Sequence, residues 1–215
     1  MQPFPCPTGP GSPGGRSPKI PRSVHRLRPG DIDVIGAMGD SLIAGNGALE
    51  EFAIGSIIEH RGVSWCAGGQ GNWREYLTLP NILKEFNPNI TGYSVGRGEF
   101  LSPNSRLNVA FPVSASQDAL KQAMLLVARM KNDPTIDFKK HWKISSGRYD
   151  TREDFTVVVQ PFIRFLNAPK DRTGKRKEAI HISYITHDCF HFSQKGHALE
   201  IVLIFNIKFI LFVKI

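Results

Sequence analysis

The apolar residues of this chain fall into short runs that end in turn-forming residues. The run Asp33–Met38 leads directly into Gly39-Asp40-Ser41, a pattern that predicts a buried strand entering a tight turn. Leu107–Phe111 predicts a second short strand. Phe155–Gln160, which is rich in β-branched residues and followed by Pro161, predicts the strongest strand of the chain.

Two stretches between these runs predict helices. One lies around Leu79–Phe86, within a region over 55–104 that is otherwise rich in Gly, Pro and Asn. The other runs from about Gln117 to Lys131, and Ser116 could cap it. Its apolar stripe consists of Ala119, Ala123, Leu126, Val127 and Met130. Strand, helix and strand in succession predict an α/β domain, with a parallel sheet flanked by helices.

The two ends of the chain differ from its middle. Residues 1–22 hold seven prolines and four glycines, so they bury too little apolar surface to offset their ordering entropy, and we expect them to be disordered. Residues 201–215 form an apolar tail of uncertain role, shorter than the roughly 20 residues of a membrane-spanning helix. The predicted domain therefore covers residues 24–198.

Charge and cysteine content narrow the possible functions only a little. The formal net charge of +8 suits an anionic partner, although the densest basic run, Lys170–Lys177, is typical of a solvated loop. Cys6, Cys66 and Cys189 lie far apart, and no Cys/His spacing indicates a metal site. No signal peptide is apparent at the N-terminus. Asn89-Ile90-Thr91 is a glycosylation sequon, to be used only if the chain is secreted.

The turn after the first strand carries the first candidate for chemistry. A serine at a strand-to-helix turn is exposed to an acyl carbon, and backbone N–H groups of such a turn face the developing oxyanion. Gly39-Asp40-Ser41-Leu42 therefore makes Ser41 a candidate nucleophile and oxyanion donor. The same tetrapeptide also occurs in ordinary capped turns.

The second candidate lies near the C-terminal end. Asp188 precedes His191 by three residues, so the carboxylate can hold one ring nitrogen while the other faces Ser41. His187 and His197 are the competing bases, and neither has a carboxylate three residues earlier. The remaining histidines are assigned to surface or packing roles: His25, His60, His141 and His181.

The pair of motifs, Gly39-Asp40-Ser41-Leu42 first and Asp188-x-x-His191 last, resembles that of the GDSL (SGNH) hydrolases. Further stretches resemble one catalytic repeat of the membrane-associated phospholipase B branch of that family. They are Leu27–Ala48, Arg61–Trp65, Leu79–Asn108, Ala119–Ile144, Ser146–Phe162 and Asp188–His197. The stretch Gly147–Phe155 is the most distinctive of them.

This resemblance implies a flavodoxin-like three-layer fold and hydrolysis of acyl esters in phospholipids, lysophospholipids or retinyl esters. It implies Ser41 as nucleophile, His191 as general base and then acid, and Asp188 as the residue that orients His191. It implies no metal or organic cofactor and no nucleic-acid partner. The family location is the extracellular face of a membrane, and the chain shows no full membrane span.

Two departures from the family pattern bear on activity. Val113 stands about where the family has an oxyanion-hole glycine, whose backbone geometry a β-branched residue resists. The Gly-x-Asn-Asp motif and its strand have no counterpart, because Ile144 is followed at once by Ser145-Ser146-Gly147. Asn132-Asp133 does not replace that motif, since it is predicted to end a helix. The fold is therefore expected to lack a central strand, and turnover is expected to be weak or absent.

Two other functions stay open on the sequence. A catalytically inactive protein could bind a lipid surface through its positive charge and apolar tail. A nucleic-acid-binding protein would be favoured by the basic pI of about 9.6 and the Lys170–Lys177 run alone.

Overall fold

A computed structural model describes residues 3–19, 21, 26–137, 181–188 and 191–205 of the chain. Its α-helices are α1 (Ser41–Ala44), α2 (Leu79–Phe86), α3 (Ala119–Asn132) and α4 (Gln194–Phe205). Short 3-10 helices lie at Pro29–Asp31, Ala53–Ile57, Arg61–Val63, Pro103–Ser105, Ser116–Asp118 and Ile182–Tyr184. The predicted strand Phe155–Gln160, the basic run Lys170–Lys177 and the tail beyond 205 lie outside the described residues.

The extended segments pair through single β-bridges. Val34 pairs with Thr91, Ala37 with Asn108, and Gly68 with Ser94, all three in parallel orientation. The two apolar runs predicted as the first and second strands therefore lie side by side at Ala37 and Asn108, and Val109 N donates to Ala37 O at 2.9 Å. The three-layer flavodoxin-like arrangement itself stays a prediction.

Helix α2 has the bounds that its sequence predicts. Thr78 caps it, because its hydroxyl accepts a hydrogen bond from Asn81 N at 3.3 Å, and Pro80 lies in the first turn, where no N–H partner is needed. Ile82 and Leu83 are buried on its inner face. Local start signals and apolar spacing thus suffice to define this element.

Helix α3 differs from the prediction in its start and in its buried face. Ser116 lies in a 3-10 turn, and Asp118 occupies the cap position without a side-chain cap bond. Ala119 is exposed, whereas Gln122 is buried in line with Leu126 and Met130. The polar side chain is buried because the backbone of a distant segment satisfies its amide, a contact that helical spacing does not reveal.

The apolar core lies between the bridged segments and the helices. One cluster joins Ala37 to Trp65, Cys66, Ala67 and Ile82, next to α2. A second joins Val34, Leu107 and Val109 to Leu126 and Met130 of α3 and to Ile136. The first strand segment is thus covered by both helices, and the turn that follows it lies at the border of the core.

The N-terminal segment predicted to be disordered makes packing contacts in the structure. The ring of Phe4 meets those of Trp73 and Phe86 edge-on, with centroids 5.2 and 5.5 Å away. Ser17 donates to the Asp31 carboxylate from its backbone N–H at 2.7 Å and its hydroxyl at 2.8 Å. The high proline content gave no sign of these contacts.

Candidate active site

The turn that carries Ser41 is shaped by the two residues before it. Gly39 has a φ of 148°, and a Cβ there would lie 2.5 Å from Cγ1 of Ile43. Asp40 caps α1, because its Oδ1 accepts a hydrogen bond from Leu42 N at 2.9 Å. Ser41 is the first helical residue and is partly exposed. Glycine and aspartate therefore have local structural reasons to precede the serine.

The side-chain amide of Gln122 in α3 hydrogen-bonds the backbone of this turn. Its Oε1 accepts from Gly39 N at 2.7 Å, and its Nε2 donates to Gly39 O at 2.9 Å. The same Nε2 donates to Ser114 Oγ at 2.7 Å. One buried amide thus connects the serine turn to the stretch that contains Val113. The sequence did not indicate that Gln122 belongs to the site, because its partner Gly39 lies 83 positions away.

A second polar group supports the end of α1. The carbonyl of Ile43 accepts from Ser64 Oγ at 2.6 Å and from Asn108 Nδ2 at 3.0 Å. Asn108 Oδ1 in turn accepts from Arg61 Nη1 at 3.1 Å. The helix that presents Ser41 is therefore tied to the second strand segment and to the 3-10 turn at Arg61–Val63.

Arg61 is the largest fully buried side chain in the described part of the chain, with 1% of its surface exposed. Its guanidinium donates to three backbone carbonyls, those of Gly98, Asn108 and Ala110, at 2.7–3.0 Å. It also donates to the Glu59 carboxylate. Burial lowers the pKa of Arg61 and raises the pKa of Glu59, and the attraction between the two groups opposes both shifts. Five acceptors on one guanidinium indicate that the pair is present as ions.

The structure brings Asp188 and His191 into contact. Nδ1 of His191 lies 2.6 Å from Asp188 Oδ2, and Asp188 Oδ1 accepts from the backbone N–H of His191 at 3.0 Å. Thr186 Oγ1 donates to the same Oδ1 at 2.5 Å, and Thr186 N donates to His191 O at 2.8 Å. Most of the imidazole is shielded from solvent. A carboxylate three residues earlier in the same segment thus orients the ring.

The segment with His191 packs beside the residues that follow Ser41. Gln194 N donates to Ala48 O at 2.9 Å, and a Cβ on Gly47 would lie 3.2 Å from Cγ2 of Thr186. The Ser41 hydroxyl makes no hydrogen bond to another residue in the described ranges. The structure therefore brings the two segments together, and the catalytic roles of Ser41, Asp188 and His191 stay predictions.

Val113 has the backbone conformation that favours glycine. Its φ is 62°, and 95% of the residue is exposed. Phe111 N donates to Gly39 O at 3.0 Å, so the stretch begins beside the serine turn. A left-handed β-branched residue costs about 1–3 kcal/mol. The correspondence of Val113 to the family glycine and its oxyanion role both stay predictions.

The competing histidines have different surroundings. His187 is exposed, whereas His197 is 2% exposed and packs edge-on against Phe192, with ring centroids 5.8 Å apart. Burial, with a smaller effect of nearby His191, lowers the pKa of His197 to about 3, so its imidazole is neutral near pH 7. His60 is buried and bonds Glu50 Oε1 at 2.7 Å, in line with a packing role.

Further features bear on cofactors, thiols and the membrane. No group of three or more His, Cys, Asp or Glu within the described ranges could hold a metal ion.

Burial raises the pKa of the Cys66 thiol to about 12, Cys6 is exposed, and Cys189 lies outside the described residues. Asn89 is exposed, as a glycosylation site requires. None of the helices in the described ranges has the length and apolar character needed to cross a bilayer.

Sequence comparison finds relatives among the membrane-associated phospholipases B1. The chain is 31% identical to membrane-associated phospholipase B1 of Homo sapiens, 45% identical to that of Mus musculus and 29% identical to that of Rattus norvegicus. Each match uses 88% of this chain and 20% of the relative, so the chain spans about a fifth of the length of these proteins. No protein-family model and no solved structure matches.

The length of the alignment carries further information. Since 88% of 215 residues is about 189, an alignment over 299 residues sets roughly 110 positions of the human protein against gaps in this chain. The absence of the family strand and its Gly-x-Asn-Asp motif at Ile144/Ser145 stays a prediction. Over most of its length, this chain is homologous to one part of membrane-associated phospholipase B1.

Proposed function

We propose that this chain is a serine ester hydrolase of the GDSL (SGNH) type that cleaves acyl esters of phospholipids or lysophospholipids. The observation that carries the proposal is the contact between Asp188 Oδ2 and His191 Nδ1, which lie 2.6 Å apart. Their segment packs against Ala48, which lies seven residues beyond Ser41. Homology to a phospholipase over 88% of the chain supports the same reaction class.

In this proposal the three side chains divide the reaction in the usual way for serine hydrolases. Ser41 Oγ attacks the acyl carbonyl carbon, and Nε2 of His191 takes the hydroxyl proton. Asp188 holds the Nδ1–H side of the ring and stabilises the imidazolium. The imidazolium then gives its proton to the leaving alcohol oxygen. A water molecule, deprotonated by the same Nε2, releases the fatty acid from Ser41.

The oxyanion site is the weak part of this machinery. Leu42 N–H is already bonded to the Asp40 carboxylate, so the N–H of Ser41 is the donor that this turn offers. The N–H of Val113 is the second proposed donor, and the family's Asn side chain has no counterpart in the sequence. Loss of one side-chain donor costs about 100- to 1000-fold in turnover, so we expect slow hydrolysis.

Labelling with a fluorophosphonate probe tests the nucleophile without requiring fast turnover. We expect the wild-type chain to be labelled stoichiometrically and Ser41→Ala to be unlabelled. Ser102→Ala is the matched control, because Ser102 caps the surface turn at Pro103–Ser105, and this variant should label normally. Brisk hydrolysis of a short-chain nitrophenyl ester would contradict the predicted weak turnover, and labelling that survives Ser41→Ala would overturn the assignment of the nucleophile.

A further inference from the structure

The loop over residues 49–57 exposes more large apolar side chains than its length leads one to expect. Phe52, Ile54 and Ile57 are 72%, 83% and 77% exposed, and Leu49 is 37% exposed. They account for half of the large apolar residues found exposed in the described part of the chain. Clustered exposed apolar side chains mark contact with another apolar phase far more often than scattered ones do.

This 49–57 loop is held at both ends. Asn46 and Glu59 form an antiparallel bridge, and Gly47 N donates to Ile58 O at 2.9 Å. Inside the loop, Asn46 Nδ2 donates to Ser56 O at 3.2 Å. These bonds close the base of the loop as in a hairpin, and the apolar side chains beyond it are exposed.

The interior of the loop is also supported. Oε1 of Glu50 lies 2.7 Å from Nε2 of the buried His60. The Glu50 side chain also fills the space where a Cβ of Gly55 would lie. Ala53–Ile57 forms a 3-10 helix that contains Ile54 and Ile57. Gly55 N donates to Phe52 O and Ile58 N donates to Gly55 O, both at 2.9 Å, so backbone hydrogen bonds hold the middle of the loop while its apolar side chains are exposed.

The loop begins where the candidate active site ends. Gly45 closes α1, the helix of Ser41, and the 49–57 loop starts four residues later. Ala48, at its base, accepts the backbone hydrogen bond from Gln194 of the histidine-bearing segment. The segments with Ser41 and His191 therefore both adjoin the base of this one loop.

We propose that the 49–57 loop is the element by which this chain enters the surface of a phospholipid layer, so that an acyl ester reaches the adjoining site. The inference rests on the proposed function, because it supplies the approach of a lipid substrate. A lipid surface fits the patch because separate side chains on a narrow loop can each enter the layer, whereas a stable dimer buries about 800 Å² per partner. The net charge of +8 favours an anionic layer, although Glu51 on the loop itself does not contribute to that attraction.

Vesicle co-sedimentation tests the inference in a Ser41→Ala background, where no hydrolysis can alter the lipid. The loop variant carries F52S, I54S and I57S, and the control carries L120S and M124S, two apolar residues of α3 that are 71% and 65% exposed. With phosphatidylcholine vesicles containing phosphatidylserine, we expect the loop variant to bind at least about tenfold more weakly and the control to bind within about twofold of the parent.

Phe52→Trp gives a second readout that does not depend on removing apolar residues. Its fluorescence should shift to shorter wavelength when vesicles are added, whereas Leu120→Trp should show no shift. Equal vesicle binding by the loop variant and its parent would overturn the inference. So would a loop variant whose only change is loss of self-association in sedimentation velocity, since the patch would then be a dimer contact.

The two proposals can fail separately. Vesicle binding through the loop, together with absent fluorophosphonate labelling of the wild-type chain, would refute the hydrolase and leave a lipid-surface-binding protein. Labelling at Ser41 with vesicle binding unaffected by the loop changes would refute only the role of the loop. Far-ultraviolet circular dichroism of each variant checks that the fold is retained.

Discussion

The serine-bearing and histidine-bearing parts of this molecule are supported in different ways. The turn at Ser41 depends on Gln122, Asn108 and Arg61, whose bonds to Gly39, Ile43 and Asn108 span 83, 65 and 47 positions. The bonds described above between Thr186, Asp188 and His191 span at most five residues, while Gln194 attaches their segment to Ala48. The proposed nucleophile thus has long-range support, and the proposed base is oriented by a carboxylate close to it in sequence.

This difference indicates where changes should act. Damage to the long-range contacts should destabilise the fold and disturb Ser41 at the same time, because one set of bonds serves both purposes. Damage to the local pair should remove reactivity and leave the fold nearly intact. Stability and reactivity should therefore respond to different substitutions.

His191→Ala should have the largest effect on chemistry and little effect on stability. Removal of a general base lowers rates by about 10²- to 10⁴-fold, so the rate constant for fluorophosphonate labelling of Ser41 should fall by that range. The denaturation midpoint in urea should change little. His187→Ala is the matched control, because His187 is exposed, and it should label at the wild-type rate. A larger loss in the control would transfer the role of base to His187.

Arg61→Met should have the largest effect on stability. It leaves the partly buried Glu59 carboxylate and three backbone carbonyls without their donor, which we expect to lower the free energy of unfolding by about 3–5 kcal/mol. Urea denaturation measures the change. The double variant with Glu59→Gln should lose less than the single one, because no buried charge is left uncompensated. A single variant as stable as wild type would show that the serine-bearing part does not depend on this network.

His197 should give the histidine-bearing part a measurable dependence on pH. Its pKa is about 3 in the folded chain and near 6.5 when unfolded, so below pH 6.5 the unfolded state binds a proton that the native state does not. Stability should therefore fall by about 1.4 kcal/mol per pH unit between pH 6 and pH 4 from this residue. His197→Leu should flatten that slope in urea titrations, and a similar change with exposed His181→Leu would assign the slope elsewhere.

Val113→Gly should have the smallest effect on stability, and it should be favourable. Glycine adopts the φ of 62° without the steric cost of a β-branched side chain, so we expect the strain relief to exceed the added unfolded-state entropy by about 1 kcal/mol. The urea midpoint measures this gain. Faster labelling of Ser41 in the same variant would support the proposed oxyanion role, and a loss of stability would show that Val113 is unstrained.

The elements that the sequence predicted well are those whose causes are local. Thr78 and Pro80 mark the start of α2, and Asp188 meets His191 because three residues separate them. Asn132 ends α3, as predicted, and Asp133 forms its C-cap. In each case residues close together in the sequence were enough to predict the feature.

The features that the sequence did not reveal depend on distant partners. Gln122 looks like an ordinary surface residue until Gly39, 83 positions earlier, is placed beside it. Arg61 is buried because carbonyls from two other segments converge on it, which no local pattern encodes. The exposure of Phe52, Ile54 and Ile57 was likewise invisible, since an apolar run in a sequence predicts burial by default.

The chemical nature of the bond between Gln122 and Gly39 has one more consequence. A carboxamide neither gains nor loses a proton across the range in which proteins stay folded, so this clamp has the same strength in an acidic compartment as in a neutral one. The position of the Ser41 turn on α3 is therefore independent of any titration, and a change of pH leaves this contact of the candidate site in place.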